Sequence, residues 1–194
     1  ELYNHPKWEQ PSVIATIEGE SDEIVIVGGH LDSIAGFWGG GSAKAPGADD
    51  NASGIATMTE VLKVLVDNSY KPQKTIQFIG YAAEEAGLLG SKEIAAEYKK
   101  QGKNVVGVMQ LDMTGFKGTK DLDIVMMRDY TNDTQNQFIG ALIDTYLPEI
   151  KWEAHSDRMW WGESLKGLNT TAVLGREKGI ESILKPHLWV RGSW

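Results

Sequence analysis

The 194-residue chain contains no cysteine. Disulfides, thiolate zinc sites, iron–sulfur clusters and cysteine nucleophiles are therefore excluded. Histidine is scarce too: His5, His30, His155 and His187 are the four present, so a metal site here has to lean on carboxylates. Basic residues are in deficit, 19 Lys and Arg against 27 Asp and Glu, for a formal charge of −8. That balance argues against nucleic acid or an anionic membrane surface as the main partner. No run of 18 apolar residues occurs, so no segment reads as a membrane-spanning helix. Internal repeats, low-complexity tracts and Pro/Ser-rich linkers are absent, and residues 1–10 lack the charged-then-apolar pattern of a signal segment, which is expected to have been removed or never to have existed.

The rest of the composition, 41% hydrophobic and 24% charged, is that of a globular domain long enough to bury a core, and one domain over residues 1–194 is expected. One shift stands out. Five of the seven tryptophans (Trp152, Trp160, Trp161, Trp189, Trp194) fall in the last 43 residues, where the pattern is less regular; packing is the expected role for them rather than an aromatic cage.

Residues 13–17 alternate like a half-buried strand, and residues 24–27 are a short apolar run typical of a strand covered on both faces. A Gly-rich loop follows from 33 to 47. Ile55, Met58, Leu62, Leu65 and Val66 recur at helical spacing from Ala52 to about Asn68. Residues 75–80 predict a strand, Leu88 to about Gly102 a second helix, 105–111 and 122–127 two more strands, and 137–147 a third helix. Short strands are expected around 150–152 and at 171–174. Alternating strands and helices predict an α/β fold with a mostly parallel sheet, whose chemistry belongs at the carboxyl ends of the strands.

Four polar features stand at those ends. His30 and Asp32 follow the strand at 24–27, Glu84 and Glu85 the strand at 75–80, Asp112 closes the strand at 105–111, and Asp49 and Asp50 enter the first helix. Each has a plainer reading: a loop hydrogen bond for His30 and Asp32, a helix cap from Asp50 or Ser53, acidic first-turn residues for Glu84 and Glu85. Asp112 is harder to dismiss, since an acid ending an apolar strand needs a partner. Together the carboxylates would repel one another and resist ionisation, and a divalent metal is the simplest compensation. Imidazole with several carboxylates suits zinc, manganese or cobalt better than calcium. Asp50, Glu85 and Asp112 carry too little charge to neutralise two divalent ions, leaving a positive centre able to hold a nucleophilic hydroxide. Asp32 is placed to accept the second imidazole N–H and fix the tautomer. Glu84 is left free as a general base.

At these residues the chain resembles the bacterial leucyl aminopeptidase family, the co-catalytic two-zinc exopeptidases. The resemblance rests on residues 26–33 (IVGGHLDS), 45–54 (APGADDNASG), 81–87 (YAAEEAG) and 110–114 (QLDMT), in the family's order and spacing. More loosely it spans residues 11–148. It implies a three-layer sandwich of zinc-exopeptidase type, with two zinc ions per chain, or one and a weak second. His30 and Asp112 would share one ion, Asp50 would bridge, Glu85 would hold the other, Glu84 would be the general base and Asp32 the partner of His30. It also implies a peptide substrate with a free N-terminus, commonly a large apolar residue, and work outside the cell; a monomer is expected. Against that pattern the chain is short at its N-terminal end and departs from it after about residue 157. Members carry a late histidine ligand near Asn-Pro-x-Ile-His-Thr. Here Lys185-Pro186-His187-Leu188-Trp189-Val190 stands in its place, with Trp189 at the ligand position and His187 two residues early. Rival expectations are a carboxypeptidase or a glutaminyl cyclase on the same scaffold, or an impaired remnant that binds metal and peptide without turnover.

Overall fold

A computed structural model describes residues 1–35, 44–115, 122–128, 131–155 and 170–175, with Met127, His155 and the last segment described by backbone alone. Eight strands, β1 (Leu2–Tyr3), β2 (Ser12–Ile17), β3 (Ser21–His30), β4 (Lys74–Tyr81), β5 (Asn104–Asp112), β6 (Ile124–Met127), β7 (Trp152–His155) and β8 (Thr170–Gly175), form one sheet in the order β1-β2-β4-β3-β5-β8-β6-β7. Three helices, α1 (Ala52–Asp67), α2 (Leu89–Lys100) and α3 (Asp133–Tyr146), complete the described residues.

Successive side chains of a strand point to opposite faces, and the two cores follow that rule. Ile26, Ile79, Tyr81 and Val108 pack with Ile94 and Tyr98 of α2 on one face. Phe78, Leu111, Val27 and Ile76 pack with Ile55, Met58, Leu62 and Leu65 of α1 on the other. A register shift where Ile24 pairs Val105 but Val25 pairs Gly107 lets Val105 and Val108 share a face despite their odd separation. Lys99 and Lys100 close α2, where cations complement the helix dipole. The side chain of Asn132 accepts from the Gln135 N–H and starts α3.

The expected elements are present, with revisions. Parallel pairings outnumber antiparallel ones only four to three. The sheet is therefore mixed, with a parallel centre and antiparallel neighbours. β3 does not stop at Val27 but runs on through Gly28 and Gly29 to His30. The strand expected around 150–152 begins at Trp152 instead, because residues 147–150 form a turn closed by Ile150 N–H donating to Leu147 O. β1 has no counterpart in the periodicity, being two residues long. Trp152 packs as expected of the tryptophans: its ring lies where a Cβ on Gly140 of α3 would stand, and its Nε1 donates to Asp144 Oδ1 at 2.8 Å.

Candidate metal centre

The order β4-β3-β5 with parallel pairing brings three strand ends to one edge of the sheet. His30 pairs Tyr81 across β3 and β4. Gly28 pairs Gln110 across β3 and β5, so His30 and Asp112 extend side by side. Glu84 and Glu85 follow β4 in a tight turn, with Leu88 and Gly87 N–H both donating to Glu84 O. They precede α2 and are not its first turn, which contains no acid.

Asp50 arrives from the other direction, from the turn ahead of α1. The cap of that helix is neither Asp50 nor Ser53 but Asn51, which is 1% exposed. Its Oδ1 accepts from Gly54 N–H at 3.0 Å and Met113 N–H at 3.2 Å, and its Nδ2 donates to Leu111 O at 2.9 Å. One amide therefore grips the backbone on both sides of Asp112 while standing next to Asp50. The Asp50–Asn51 peptide bond is cis. A Cβ on Gly54 would lie 2.2 Å from Asn51 Oδ1 and 2.5 Å from Leu111 O, so the approach of α1 to β5 requires glycine there. Sequence reasoning missed Asn51. Its signal was an Asn immediately before the helical run, a favoured N-cap residue.

His30 is 1% exposed. Its Nε2 lies 2.9 Å from Asp50 Oδ1, 3.6 Å from Asp112 Oδ1 and 3.9 Å from Glu84 Oε2, yet meets no acceptor in hydrogen-bonding alignment. Potential ligand atoms of His30, Asp50 and Asp112 lie within 4.8 Å of one another, as do those of His30, Glu84 and Glu85.

Asp32 departs from expectation. His30 Nδ1 donates to the backbone carbonyl of Asp32 at 2.9 Å, whereas the Asp32 carboxylate stands 3.8 Å away. The carboxylate instead accepts from Glu84 N–H with one oxygen and Glu85 N–H with the other, both at 2.9 Å. Only Leu31 separates His30 from Asp32, and the backbone there turns so that the carbonyl, not the side chain, meets the ring. The ring is still oriented: Nδ1 donates to that carbonyl, and Nε2 is turned towards the carboxylates of Asp50 and Asp112. Non-glycine residues with left-handed backbone flank the cluster, Ala83 (φ 51) before Glu84 and Met113 (φ 51) after Asp112. Such conformations persist where surrounding contacts over-determine them.

The electrostatics match the crowding. Burial pushes Glu84 up to about 8, with Asp112, Glu85 and Asp32 adding to it and His30 opposing. Burial and then Asp50 raise Glu85 to about 7. Burial also raises Asp112. Burial opposes the charge on His30, but Asp112, Asp32 and Asp50 outweigh it and lift the imidazole above its ordinary range. Burial opposes ionisation of Asp32 as well, but the His30 ring and the Glu84 and Glu85 N–H groups hold it low. A buried imidazole nitrogen among carboxylates that resist ionisation is a donor set that fits a divalent transition ion, which would take the place of their protons. His187, Trp189 and the other tryptophans beyond Trp152 lie outside the described residues, as does the side chain of His155.

The sequence model of the family described as Peptidase family M28 matches residues 12–164. The chain is 46% identical over 153 residues to leucine aminopeptidase 1 of Arthroderma otae, an alignment covering 73% of this chain and 40% of that protein. It spans about two fifths of the length of the curated relatives it matches. Among solved structures, LapB from Legionella pneumophila is 27% identical with a TM-score of 0.71, covering 90% of this chain and 47% of that one. BSAP, a zinc aminopeptidase from Bacillus subtilis, is 26% identical with a TM-score of 0.58, covering 85% and 40%. A glutaminyl cyclase from an Acidobacteriales bacterium shares the fold alone, at 15% identity and a TM-score of 0.62 over 99% of this chain and 72% of that one. Likeness therefore extends to fungal as well as bacterial proteins, and the mixed α/β fold is that of the aminopeptidases among them. No helix among the described residues is long and apolar enough to cross a membrane.

Proposed function

The chain belongs to peptidase family M28, and on that footing we propose that it is the metal-binding part of an aminopeptidase. The enzyme removes the residue at the unblocked N-terminus of a peptide, a large apolar one such as leucine. The observation that carries this reading is the buried His30 Nε2, with no hydrogen-bond partner, facing the carboxylates of Asp50, Asp112 and Glu84. His30, Asp50 and Asp112 would hold one zinc ion, and Glu85 with a bridging Asp50 a second. The donor atoms of His30, Asp50 and Asp112 support the first site, and Glu85 stands within reach of the same cluster through His30 and Glu84. Zinc bound there supplies a Lewis acid that polarises the scissile carbonyl and acidifies water.

The chain's own residues do the rest. Glu84 takes a proton from the attacking water at its carboxylate and returns it to the leaving nitrogen. Burial raises its proton affinity and cations beside it would lower it, which suits a group that must accept and release a proton near neutrality. Asp32 holds the Glu84 and Glu85 backbone by its two acceptor oxygens. We read residues 1–194 as belonging to a single catalytic domain of an enzyme that is monomeric and works outside the cell.

Zinc titration of the metal-stripped chain, with hydrolysis of leucine p-nitroanilide as readout, tests the proposal. Turnover should appear with zinc and vanish in Glu84→Ala while zinc uptake persists. Tight zinc uptake by the parent without any turnover would sink it and favour a binding remnant.

A further inference from the structure

Among the described residues a second histidine side chain, that of His5, lies outside the candidate centre, buried and fully engaged. His5 precedes β2. Its Nδ1 donates to Glu93 Oε2 of α2 at 2.7 Å, and its Nε2 stands 2.8 Å from Ser12 Oγ. Ser12 Oγ in turn accepts from Ala82 N–H at 2.9 Å. Trp8 stacks on the His5 ring at 4.7 Å between centroids. Gln10 Oε1 faces Ala83 N–H at 3.4 Å.

The side chains repeat the order of an acid–His–Ser triad, but a nucleophilic role fails on two counts. Ser12 is 0% exposed, and its oxygen already accepts from a backbone N–H. With Nδ1 donating to Glu93, every atom is satisfied when Ser12 O–H donates to His5 Nε2 and Ala82 N–H donates to Ser12 Oγ. The chain of bonds runs one way and ends on Ala82.

That end point matters. Ala82 is the residue at which the backbone leaves β4, fully buried, and its N–H would otherwise have no partner. The turn built on it closes through Gly90 N–H to Ala82 O and Leu89 N–H to Ala83 O, and it carries Glu84 and Glu85. β2 runs antiparallel to β4, with Val13 opposite Gly80, so its N-terminal end lies at the same sheet edge as the cluster. Asp32 holds the turn from the β3 side; Ser12 holds it from the β2 side. We propose that Glu93, His5 and Ser12 are positioning residues that fix the Glu84–Glu85 turn through the Ala82 N–H. The proposal rests on the reading of Glu84 and Glu85 given above.

Residue-resolved hydrogen exchange on the metal-free full chain reads the turn without reference to activity. In Ser12→Ala, exchange at Ala82, Glu84 and Glu85 should quicken about tenfold, as loss of one hydrogen bond implies, while β5 keeps its parental protection. Zinc affinity should fall on the order of 10–100-fold, as loss of a partner behind a ligand does. In the zinc-loaded chain kcat should fall while KM for leucine p-nitroanilide stays within about twofold. Glu93→Gln keeps an acceptor for His5 Nδ1 and should stay close to parent; Glu93→Ala should loosen the turn as Ser12→Ala does. This second pair carries the test if Ser12→Ala does not fold. Parental exchange rates at the turn, or a uniform loss of protection with unchanged zinc affinity, would overturn the proposal. Absence of hydrolysis by the parent would instead overturn the aminopeptidase reading, and the exchange comparison would still decide the role of Ser12.

Discussion

Asn51→Ala is the substitution whose consequences can be worked out most fully. The side chain makes three hydrogen bonds, to Gly54 N–H, Met113 N–H and Leu111 O, and is 1% exposed, so water cannot replace them. Loss of the helix cap costs about 1 kcal/mol. Met113 N–H and Leu111 O, left without this partner, add about 1 kcal/mol each, for a total of about 3 kcal/mol. In a chain of this size that lowers Tm by roughly 6–12 °C. Thermal or urea unfolding in excess chelator measures the loss without interference from bound metal. The same amide ties Asp112 to the residue after Asp50, so zinc affinity should fall at least tenfold, the scale on which outer partners act. Asn51→Asp keeps the acceptors but sets a second oxygen against Leu111 O, and it should be no more stable than Asn51→Ala. A loss in Asn51→Ala under about 0.5 kcal/mol, the scale of an ordinary surface change, would refute this reasoning. Reduced stability with parental zinc affinity would refute the positioning part alone.

Two further expectations concern the acids. Asp32→Ala removes both acceptors of the Glu84 and Glu85 N–H groups and should lower kcat by about 10–100-fold, measured on leucine p-nitroanilide with zinc saturating; unchanged kcat would mean the turn holds itself. The metal-free chain should also lose stability as pH rises. Glu84 sits at about 8 and Glu85 at about 7 against an ordinary 4.5, so their contribution is full below 4.5 and disappears as pH rises through 7 to 8. The raised His30 works in the same direction above 6.5, whereas the lowered Asp32 acts only below its ordinary range. Urea unfolding at pH 5 and pH 8 should differ by a few kcal/mol, on the order expected for such shifts. With zinc present the slope should flatten or reverse, because the ion requires the carboxylates ionised; a metal-free stability that rises towards pH 8 would contradict the account.

Much of this was legible locally. Ile55, Met58, Leu62 and Leu65 mark α1 by spacing alone, and the apolar run ending at Asp112 marks β5 and its terminal acid. An acid after an apolar strand conflicts with its surroundings whatever the neighbours are, so Asp112 stood out from one segment. Asp32 did not resolve in the same way. Whether its side chain or its carbonyl meets His30 depends on how the backbone turns over two residues, and that is set by Glu84 and Glu85 N–H groups arriving from β4. Asn51 looked like one member of an acidic, small-residue run because its partners, Leu111 and Met113, lie 60 and 62 residues away. His5 was a bare count until Glu93, 88 positions on, was beside it.

The division has a physical basis. Periodicity, the apolar runs and the placement of acids and a histidine at strand ends are properties of contiguous residues, and the sequence by itself determined them: an α/β chain with a cluster of acids and one histidine at a sheet edge. Hydrogen-bond partners between elements depend on strand order and register. Only the tertiary structure, by placing β3 between β4 and β5 and running β2 antiparallel beside β4, decided which groups hold those acids in place. Each buried N–H or carbonyl takes the partner that packing brings within about 3 Å, and that partner is named by geometry rather than by its position in the chain.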